Sequence, residues 1–238
     1  MKQKCIARIF LAAVLGALLL SGMALGQAGG IQPAQLDQPM PAFTLPNYMG
    51  GDIALADLQG KNVMLIFPRG LAGENHWCHI CNYQYAELVE LEQKKSIREK
   101  YNLEIIFVLP YGKEMIDQWM DAFPAQFTDI ENWKKLDASD EGSKRRRAFA
   151  IRAFPKSYQF EKGSVPTPFP ILVDEDRTVS KGLDLFRTEW GNSQIEQNIP
   201  TVYLLDKKGV VRFKYLGQNT FDRPGPEYLL KFIEQMIQ

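Results

Sequence analysis

Short apolar runs alternate with amphipathic stretches along most of the chain. Val63–Phe67 and Leu103–Leu109 are largely apolar runs of strand length, and such runs are typical of strands covered on both faces of a sheet. Apolar residues recur at helical spacing from Asn82 to about Lys100, in Lys113–Phe123 and in Gly225–Ile237. These three segments are therefore predicted to be helices with one buried face.

The last third of the chain continues this alternation. Phe169–Val173 is predicted to be a strand and Arg177–Phe186 a helix. Thr201–Leu205 and Val210–Tyr215 are two further strand-like runs, and the short Gly-containing turn Asp206–Gly209 between them predicts an antiparallel hairpin. The order of strands and helices predicts an α/β sandwich with a mixed central sheet flanked by helices.

Three segments extend this plan. Phe43–Leu45 and Ile53–Leu55 surround a Gly-Gly turn and predict an N-terminal hairpin. Pro68–Asn75 is predicted to be a loop that follows the first apolar strand. Residues 124–168 lose the regular pattern, and we interpret them as a helical insertion packed onto the main sheet.

The insertion carries the most basic stretch of the sequence. It is predicted to contain a loop at Asp137–Gly142 and a helix at Ser143–Phe154. The run Lys144–Arg147 lies on that helix. It forms either a solvated helix face or a surface that docks an acidic partner.

The first 26 residues have the pattern of a secretory signal peptide. A basic start, Lys2–Arg8, precedes a short apolar stretch, and Ala24 and Gly26 give the small-x-small ending. This predicts cleavage after Gly26, a single domain at residues 27–238, and a periplasmic or secreted protein. An uncleaved membrane anchor is the alternative, although the apolar run is shorter than the ~20 residues that a span needs.

The charge balance argues against a nucleic-acid partner. The chain has 28 basic and 28 acidic residues, and the predicted signal peptide holds three of the basic ones and none of the acidic ones. The mature chain is therefore slightly acidic, whereas nucleic-acid-binding proteins carry basic surfaces. Membrane contact is expected only through the signal peptide, if that segment stays uncleaved.

The candidate chemistry lies in one six-residue stretch. Cys78 and Cys81 are the only cysteines besides Cys5, which falls in the predicted signal peptide, and His76 and His79 are the only histidines. Residues three apart share a helix face, so both sulfurs can meet at the start of the predicted helix. A helix N-terminus favours a thiolate, which is the attacking species in disulfide exchange.

These residues predict reversible disulfide exchange. Cys78, nearer the helix end and solvent, attacks a substrate disulfide, and Cys81 displaces the reduced product. A protonated His79 would lower the thiol pKa further, as would His76 if it folds back. A passive bridge or two buried thiols are the alternatives. Arg69 either stabilises the thiolate or forms a surface ion pair.

With Trp77–Cys81 at a strand-to-helix junction, the chain resembles the thioredoxin-like superfamily, and most closely its redoxin branch, the alkyl hydroperoxide reductase and thiol-specific antioxidant (AhpC/TSA) family. Further resemblances lie at Phe43–Lys61, Arg69–Gly70, Glu87–Leu88, Ile199–Thr201 and Asp222–Glu227. Together they cover most of the mature chain apart from residues 124–168. The resemblance implies a thioredoxin-like sandwich, and no cofactor is expected.

The resemblance also implies how a substrate is held. Ile199-Pro200 resembles the superfamily's cis-proline segment, which implies a cis Pro200 facing the cysteine pair. Backbone groups of Ile199 would then hold an extended substrate strand, and Trp77 would shape the rim of the site. An ordinary proline at the start of a strand is the alternative.

The chain departs from the family pattern at several positions. Main-type peroxiredoxins carry a Thr three residues before the peroxidatic cysteine and a Pro four before that, where this chain has Asn75 and Leu71. Their catalytic arginine, usually just ahead of a late strand, is not evident. Exported thioredoxin-like reductases often place an acidic residue three positions after the second cysteine, where this chain has Gln84.

The sequence thus leaves three functions open. The leading prediction is an exported thiol–disulfide oxidoreductase that acts on protein thiols or disulfides in the cell envelope, with an unidentified electron donor or acceptor. The second is a thiol peroxidase, in which Cys78 becomes a sulfenic acid and Cys81 resolves it. The third is copper or zinc handling by His76, Cys78, His79 and Cys81, although their close spacing makes convergence difficult.

Overall fold

The computed structural model describes residues 30–236, so the predicted signal peptide lies outside the described residues. Within this range the strands are β1 (Thr44–Pro46), β2 (Asp52–Ala54), β3 (Asn62–Phe67), β4 (Leu71–Gly73), β5 (His76–Trp77), β6 (Leu103–Leu109), β7 (Ile171–Val173), β8 (Phe186–Arg187), β9 (Gln197–Asn198), β10 (Thr201–Leu205) and β11 (Val211–Leu216). The α-helices are α1 (His79–Lys95), α2 (Ile97–Lys100), α3 (Lys113–Asp121), α4 (Phe123–Lys134), α5 (Glu141–Ala153), α6 (Thr178–Gly182) and α7 (Pro226–Met236).

Five strands form the central sheet in the order β11-β10-β3-β6-β7. β3 pairs parallel with β6 and antiparallel with β10. β6 pairs parallel with β7, and β10 and β11 form an antiparallel hairpin. The predicted mixed sheet and both predicted hairpins are confirmed, since β1 and β2 also pair antiparallel.

The two faces of β3 contribute to separate cores. Met64 and Ile66 pack in the core that contains the buried faces of α1, α3, α4 and α7. Leu65 and Phe67 pack with the N-terminal hairpin and α6. Because both faces are covered, all six residues of β3 are buried, as the apolar run predicted.

Two predicted helices are interrupted by left-handed residues. The helix expected from Asn82 to Lys100 begins at His79 and is divided at Ser96, whose φ is 44°. The helix expected at Arg177–Phe186 ends at Gly182, and Asp184 has a φ of 60° before β8 begins. A left-handed residue cannot continue an α-helix. The apolar pattern runs on past these residues, so it predicted both helices to be longer than they are.

The segment 68–75, predicted to be a loop, partly forms strands. β4 and β5 make a short hairpin whose turn includes Asn75 with a φ of 52°. Asn tolerates this conformation because its short polar side chain can bond locally. The hairpin carries the chain from the end of β3 to the cysteine motif.

The segment 124–168 contributes to the main core. The helix predicted at Lys113–Phe123 ends at Asp121, and α4 begins at Phe123 with Pro124 in its first turn, where a missing N–H costs nothing. α5 begins at Glu141 because Asp140 caps it: the Asp140 Oδ1 accepts hydrogen bonds from the backbone N–H groups of Gly142 and Ser143.

In the described part of the chain, no helix has the length and apolar character needed to cross a bilayer.

Candidate active site

The two cysteines lie together at the start of α1. Cys78 is the N-cap residue, and its Sγ accepts a hydrogen bond from the backbone N–H of Cys81 at 3.4 Å. The two sulfurs are 2.8 Å apart and both thiols are free. Cys78 is 4% exposed and Cys81 is 1% exposed. The structure therefore holds a reduced pair in position to close into a disulfide.

Gly70 fixes the backbone next to this pair. Its carbonyl accepts a hydrogen bond from the N–H of Cys78 at 2.9 Å. Its φ is +77°, and a Cβ at this position would lie 2.4 Å from the ring of Tyr111. The Tyr111 hydroxyl in turn accepts a hydrogen bond from the backbone N–H of Leu71 at 2.9 Å. Only a glycine allows the strand end and the tyrosine to approach this closely.

Gly70→Ala is expected to destabilise the protein more than Gly209→Ala does. Gly209 has a similar φ of +75° but open space where the Cβ would lie, so its substitution costs only the left-handed strain of about 1–2 kcal/mol. Gly70→Ala adds the collision with Tyr111, which lowers the free energy of unfolding by roughly 1–3 kcal/mol more. Urea unfolding of both variants measures the difference, and equal losses would show that Tyr111 does not confine this site.

Arg223, from the segment before α7, supplies a positive charge to both sulfurs. Its Nη2 lies 3.7 Å from the Sγ of Cys78 and 3.6 Å from that of Cys81. Its Nη1 donates to the Asp222 carbonyl at 2.7 Å. Sequence reasoning did not identify this residue, because 142 residues separate it from Cys81. The only signal was the family-like segment Asp222–Glu227 that contains it.

Arg69 acts on the pair through its backbone. Its N–H donates to the Sγ of Cys81 at 3.3 Å. Its guanidinium is turned away, with Nε donating to Gln197 and Nη2 to Ser193, each at 2.6 Å. The residue is 5% exposed, so of the two alternatives for Arg69 the surface ion pair is wrong. Burial lowers the pKa of this guanidinium.

One thiolate is stabilised in this geometry. Burial opposes ionisation of Cys81, but the hydrogen bond with Cys78, the charge of Arg223 and the Arg69 N–H lower its pKa to about 5. The hydrogen bond with Cys81, followed by burial, raises the pKa of Cys78 well above the ordinary thiol value. The pair thus keeps one proton and one negative charge at neutral pH, shared across 2.8 Å.

The effect predicted for His79 was conditional on its protonation, and this condition is not met. Burial and the charge of His76 lower the pKa of His79 to about 4, although Asp129 lies 3.5 Å from its Nε2. The ring packs on Trp133 with centroids 4.5 Å apart. His79 is therefore neutral at pH 7 and adds no positive charge to the thiolate.

Replacing His79 with Gln is expected to leave the pH dependence of cysteine alkylation unchanged. A neutral imidazole cannot supply the charge that favours a thiolate, so its removal leaves the midpoint of the profile in place. Iodoacetamide alkylation of the reduced variant between pH 4 and pH 9 measures this midpoint. An upward shift would restore the charged-histidine interpretation.

The remaining predicted site residues are arranged differently from expectation. Trp77 is buried, packs edge-on against Tyr111 and accepts a hydrogen bond from Gln126 through its carbonyl, so it does not form the rim. His76 is exposed and lies beside His79, with ring centroids 5.0 Å apart.

The predicted cis-proline arrangement is not present. Residues 30–236 contain no cis peptide bond, so the peptide before Pro200 is trans. The N–H of Ile199 donates to the Leu185 carbonyl at 2.7 Å, and its carbonyl accepts from the Thr201 hydroxyl at 2.9 Å. Both backbone groups of Ile199 are therefore engaged within the chain. The segment Ile199-Pro200 connects β9 to β10.

A cavity of about 760 Å³ opens onto Cys78. Its walls come from the cysteine motif, from α4 and α5, and from the loops around residues 191–193 and 220–221. Cys78 lines this cavity and Cys81 lies behind it, so a substrate in the cavity meets Cys78 first. This position supports Cys78 as the attacking sulfur.

The four soft ligands of the motif do not form a metal site. The ring of His79 packs on Trp133, and its Nε2 lies 3.5 Å from a carboxylate oxygen of Asp129. Among the described residues, no group of three or more His, Cys, Asp or Glu side chains is arranged to hold a metal ion. The copper or zinc prediction is therefore not supported by the geometry.

Comparison with known proteins identifies the family. The sequence profile of the AhpC/TSA family matches residues 36–214, which is more than half of the 238 residues. The chain belongs to the AhpC/TSA family. A comparison with curated proteins gave no match.

Solved structures of peroxiredoxins resemble this AhpC/TSA protein. A cysteine-to-serine mutant of peroxiredoxin 6 of Arenicola marina gives a TM-score of 0.54 at 12% identity, covering 84% of this chain and 72% of that one. The reduced 2-Cys peroxiredoxin of Plasmodium vivax gives a TM-score of 0.49 at 15% identity, covering 85% and 81%. The first likeness agrees with the predicted thioredoxin-like redoxin fold.

Proposed function

We propose that this AhpC/TSA protein is a thiol–disulfide oxidoreductase in which Cys78 attacks and Cys81 resolves. The observation that carries the proposal is the position of the two sulfurs, 2.8 Å apart with Arg223 within 3.7 Å of both and Cys78 at the wall of the cavity. Family membership supports thiol-based redox chemistry. The order of attack and resolution follows from which sulfur a substrate reaches.

The proposed step conserves atoms and electrons. The proton shared by the pair moves to Cys81, and the Cys78 thiolate attacks one sulfur of a disulfide R–S–S–R, releasing R–S⁻ and forming a mixed disulfide. Cys81 then passes its proton to the released R–S⁻ and attacks the Sγ of Cys78, which releases the second R–S⁻. The protein is oxidised to the Cys78–Cys81 disulfide, and the second R–S⁻ takes a proton from water, so that two thiols R–SH are the products. A thiol reductant of separate origin returns the pair to the reduced state.

Arg223 has a defined part in this step. Its guanidinium is close to both sulfurs, so it stabilises the negative charge before attack and after the charge passes to Cys81. Stabilising the thiolate keeps the attacking form of the pair present at neutral pH. The backbone N–H of Arg69 holds Cys81 in place.

Peroxide reduction is the second candidate, and family membership favours it. In that reaction Cys78 attacks the peroxide, becomes a sulfenic acid and condenses with Cys81 to release water. Against it, the N–H of Cys78 is already bonded to the Gly70 carbonyl, and Asn75 and Leu71 stand where peroxiredoxins have Thr and Pro. Fewer donors therefore remain to polarise the peroxide bond.

A direct comparison of electrophiles tests the proposal. The reduced protein is mixed with bis(2-hydroxyethyl) disulfide or with hydrogen peroxide, and loss of free thiols is followed under single-turnover conditions. Each rate is divided by the rate of the same electrophile with a free dithiol. We expect this ratio to be larger for the disulfide than for hydrogen peroxide. Enhancement confined to hydrogen peroxide would replace disulfide exchange with peroxidase activity.

We also propose that the protein acts outside the cytoplasm. The support is the composition of residues 1–26, which have the basic start, apolar stretch and small-residue ending of a signal peptide. Protein disulfides of the cell envelope were the expected partners, with docking on the backbone of Ile199. Both backbone groups of Ile199 are engaged internally. Among the described residues, the cavity therefore provides the approach to Cys78.

A further inference from the structure

The cavity over Cys78 is positively charged. Arg69, Arg145 and Arg146 line it, and no carboxylate from the described residues does. Arg145 and Arg146 come from the middle of α5 and are exposed. Lys144 on the same helix is paired with Glu141 at 2.9 Å. Arg145 and Arg146, by contrast, have no carboxylate within ion-pair distance anywhere in residues 30–236.

Aromatic side chains provide the rest of the wall. Trp133, Phe149, Phe154 and Phe221 line the cavity. Phe221 is 64% exposed and contacts Phe149, with ring centroids 4.8 Å apart. The guanidinium of Arg146 lies over the Trp133 ring at 6.0 Å. The cavity therefore combines an apolar surface with two arginines, Arg145 and Arg146, that have no carboxylate partner within the described residues. A site for an anion with an apolar body is built in this way.

The size of the cavity distinguishes small molecules from folded proteins. About 760 Å³ is within the range of roughly 300–1,000 Å³ that small-molecule sites occupy. Cys78 is only 4% exposed, so a disulfide on a folded surface would have to enter the cavity to reach it. The strand-pairing groups of Ile199 that would hold a protein substrate are engaged within the chain.

We propose that the cavity selects low-molecular-weight disulfides that carry a negatively charged group, with Arg145 and Arg146 as the residues that bind this charge. The inference rests on the proposed disulfide exchange and names its substrate class. The reaction is the one given above, with R–S–S–R an anionic disulfide and two anionic thiols as products. The segment 124–168 thus determines substrate specificity, because α5 carries both arginines.

A charge series of matched disulfides tests the proposal. The probes are 3,3′-dithiodipropionate, which is anionic, bis(2-hydroxyethyl) disulfide, which is neutral, and cystamine, which is cationic. Each single-turnover rate with the reduced full-length protein is divided by the rate of the same disulfide with free dithiothreitol. We expect the normalised rates to fall from anion to neutral to cation, by at least tenfold at each step at low salt, and to converge as salt increases.

Two variants of equal net charge locate the effect. In the double variant Arg145→Gln, Arg146→Gln the preference for the anion over the neutral probe is expected to fall by roughly tenfold or more. The matched control is Arg147→Gln, Arg152→Gln, which removes the same charge from exposed positions of α5 that do not line the cavity. The control is expected to keep the preference, and alkylation of Cys78 by neutral iodoacetamide shows in each variant that the pair is intact.

The two ways of failing are distinguishable. If the protein reduces none of the three disulfides faster than a free dithiol does, disulfide exchange itself is wrong. If it reduces all three at equal normalised rates, exchange stands and the anionic substrate class is wrong. An equal loss of preference in the two double variants would overturn the assignment to Arg145 and Arg146, since the effect would then be one of net charge.

Discussion

Cys78→Ser is expected to abolish disulfide exchange, whereas Cys81→Ser is expected to stop it at the mixed disulfide. In the first variant the sulfur that faces the cavity is gone, and Cys81, 1% exposed and behind position 78, cannot be reached by a substrate. We expect the rate of disulfide reduction to fall by at least roughly a thousandfold. In the second variant Cys78 still attacks, but no thiolate is present to displace the product, so half of the substrate remains attached.

Mass spectrometry separates these outcomes. Reduced Cys81→Ser treated with bis(2-hydroxyethyl) disulfide should gain one mercaptoethanol adduct on Cys78 and release one thiol. At residues 78 and 81 the unaltered protein should gain no adduct, and the pair should release two thiols. Thermal unfolding of both variants is the control for intact folding. If Cys78→Ser were the variant that carried the stable adduct, the order of attack and resolution would have to be reversed.

Arg223→Gln is expected to move the pH profile of cysteine alkylation upward by roughly one to three pH units. The reactive form is the thiolate, which exists above its pKa. Arg223 lies 3.6–3.7 Å from both sulfurs, and its charge lowers the pKa of Cys81 against the effect of burial. Without that charge the thiolate forms only at higher pH, so alkylation at pH 7 slows in proportion to the thiolate fraction that the raised midpoint leaves.

A conservative variant separates charge from packing in this experiment. Arg223→Lys keeps the positive charge but loses the planar guanidinium, so its midpoint should lie between those of the unaltered protein and Arg223→Gln. The readout is the midpoint of the profile, which a purely structural defect would leave in place. If both variants kept the midpoint of the unaltered protein, Arg223 would have no electrostatic role at the pair.

The periodicity of apolar residues predicted the parts of the fold that bury two faces. The runs at Val63–Phe67 and Leu103–Leu109 became β3 and β6, and Thr201–Leu205 became β10 with the bounds predicted. These strands need continuous apolar side chains, so the pattern is visible in the sequence. Ser96 and Asp184 divide or end helices through backbone conformation, which leaves no periodic signal.

The sequence indicated the cysteine motif but not its surroundings. Cys78 and Cys81 are three residues apart, so local helix geometry brought their sulfurs together in the prediction. Arg223 reaches them only because α7 packs against α1 in the folded chain, and no local rule connects the two. The neutral state of His79 depends on its burial, with Trp133 of α4 packed on the ring, and it persists against the opposing charge of Asp129. The sequence pattern placed neither residue there.

The central claim is that the reduced pair holds one thiolate at neutral pH, stabilised by Arg223 and shared between two sulfurs. The most direct test is the thiolate absorbance at 240 nm of the reduced protein, measured from pH 3 to pH 9 with the oxidised protein as the reference for tyrosine. We predict one thiolate per chain, with a midpoint well below the ordinary thiol pKa and full formation at pH 7. No thiolate absorbance below pH 8 would contradict the claim.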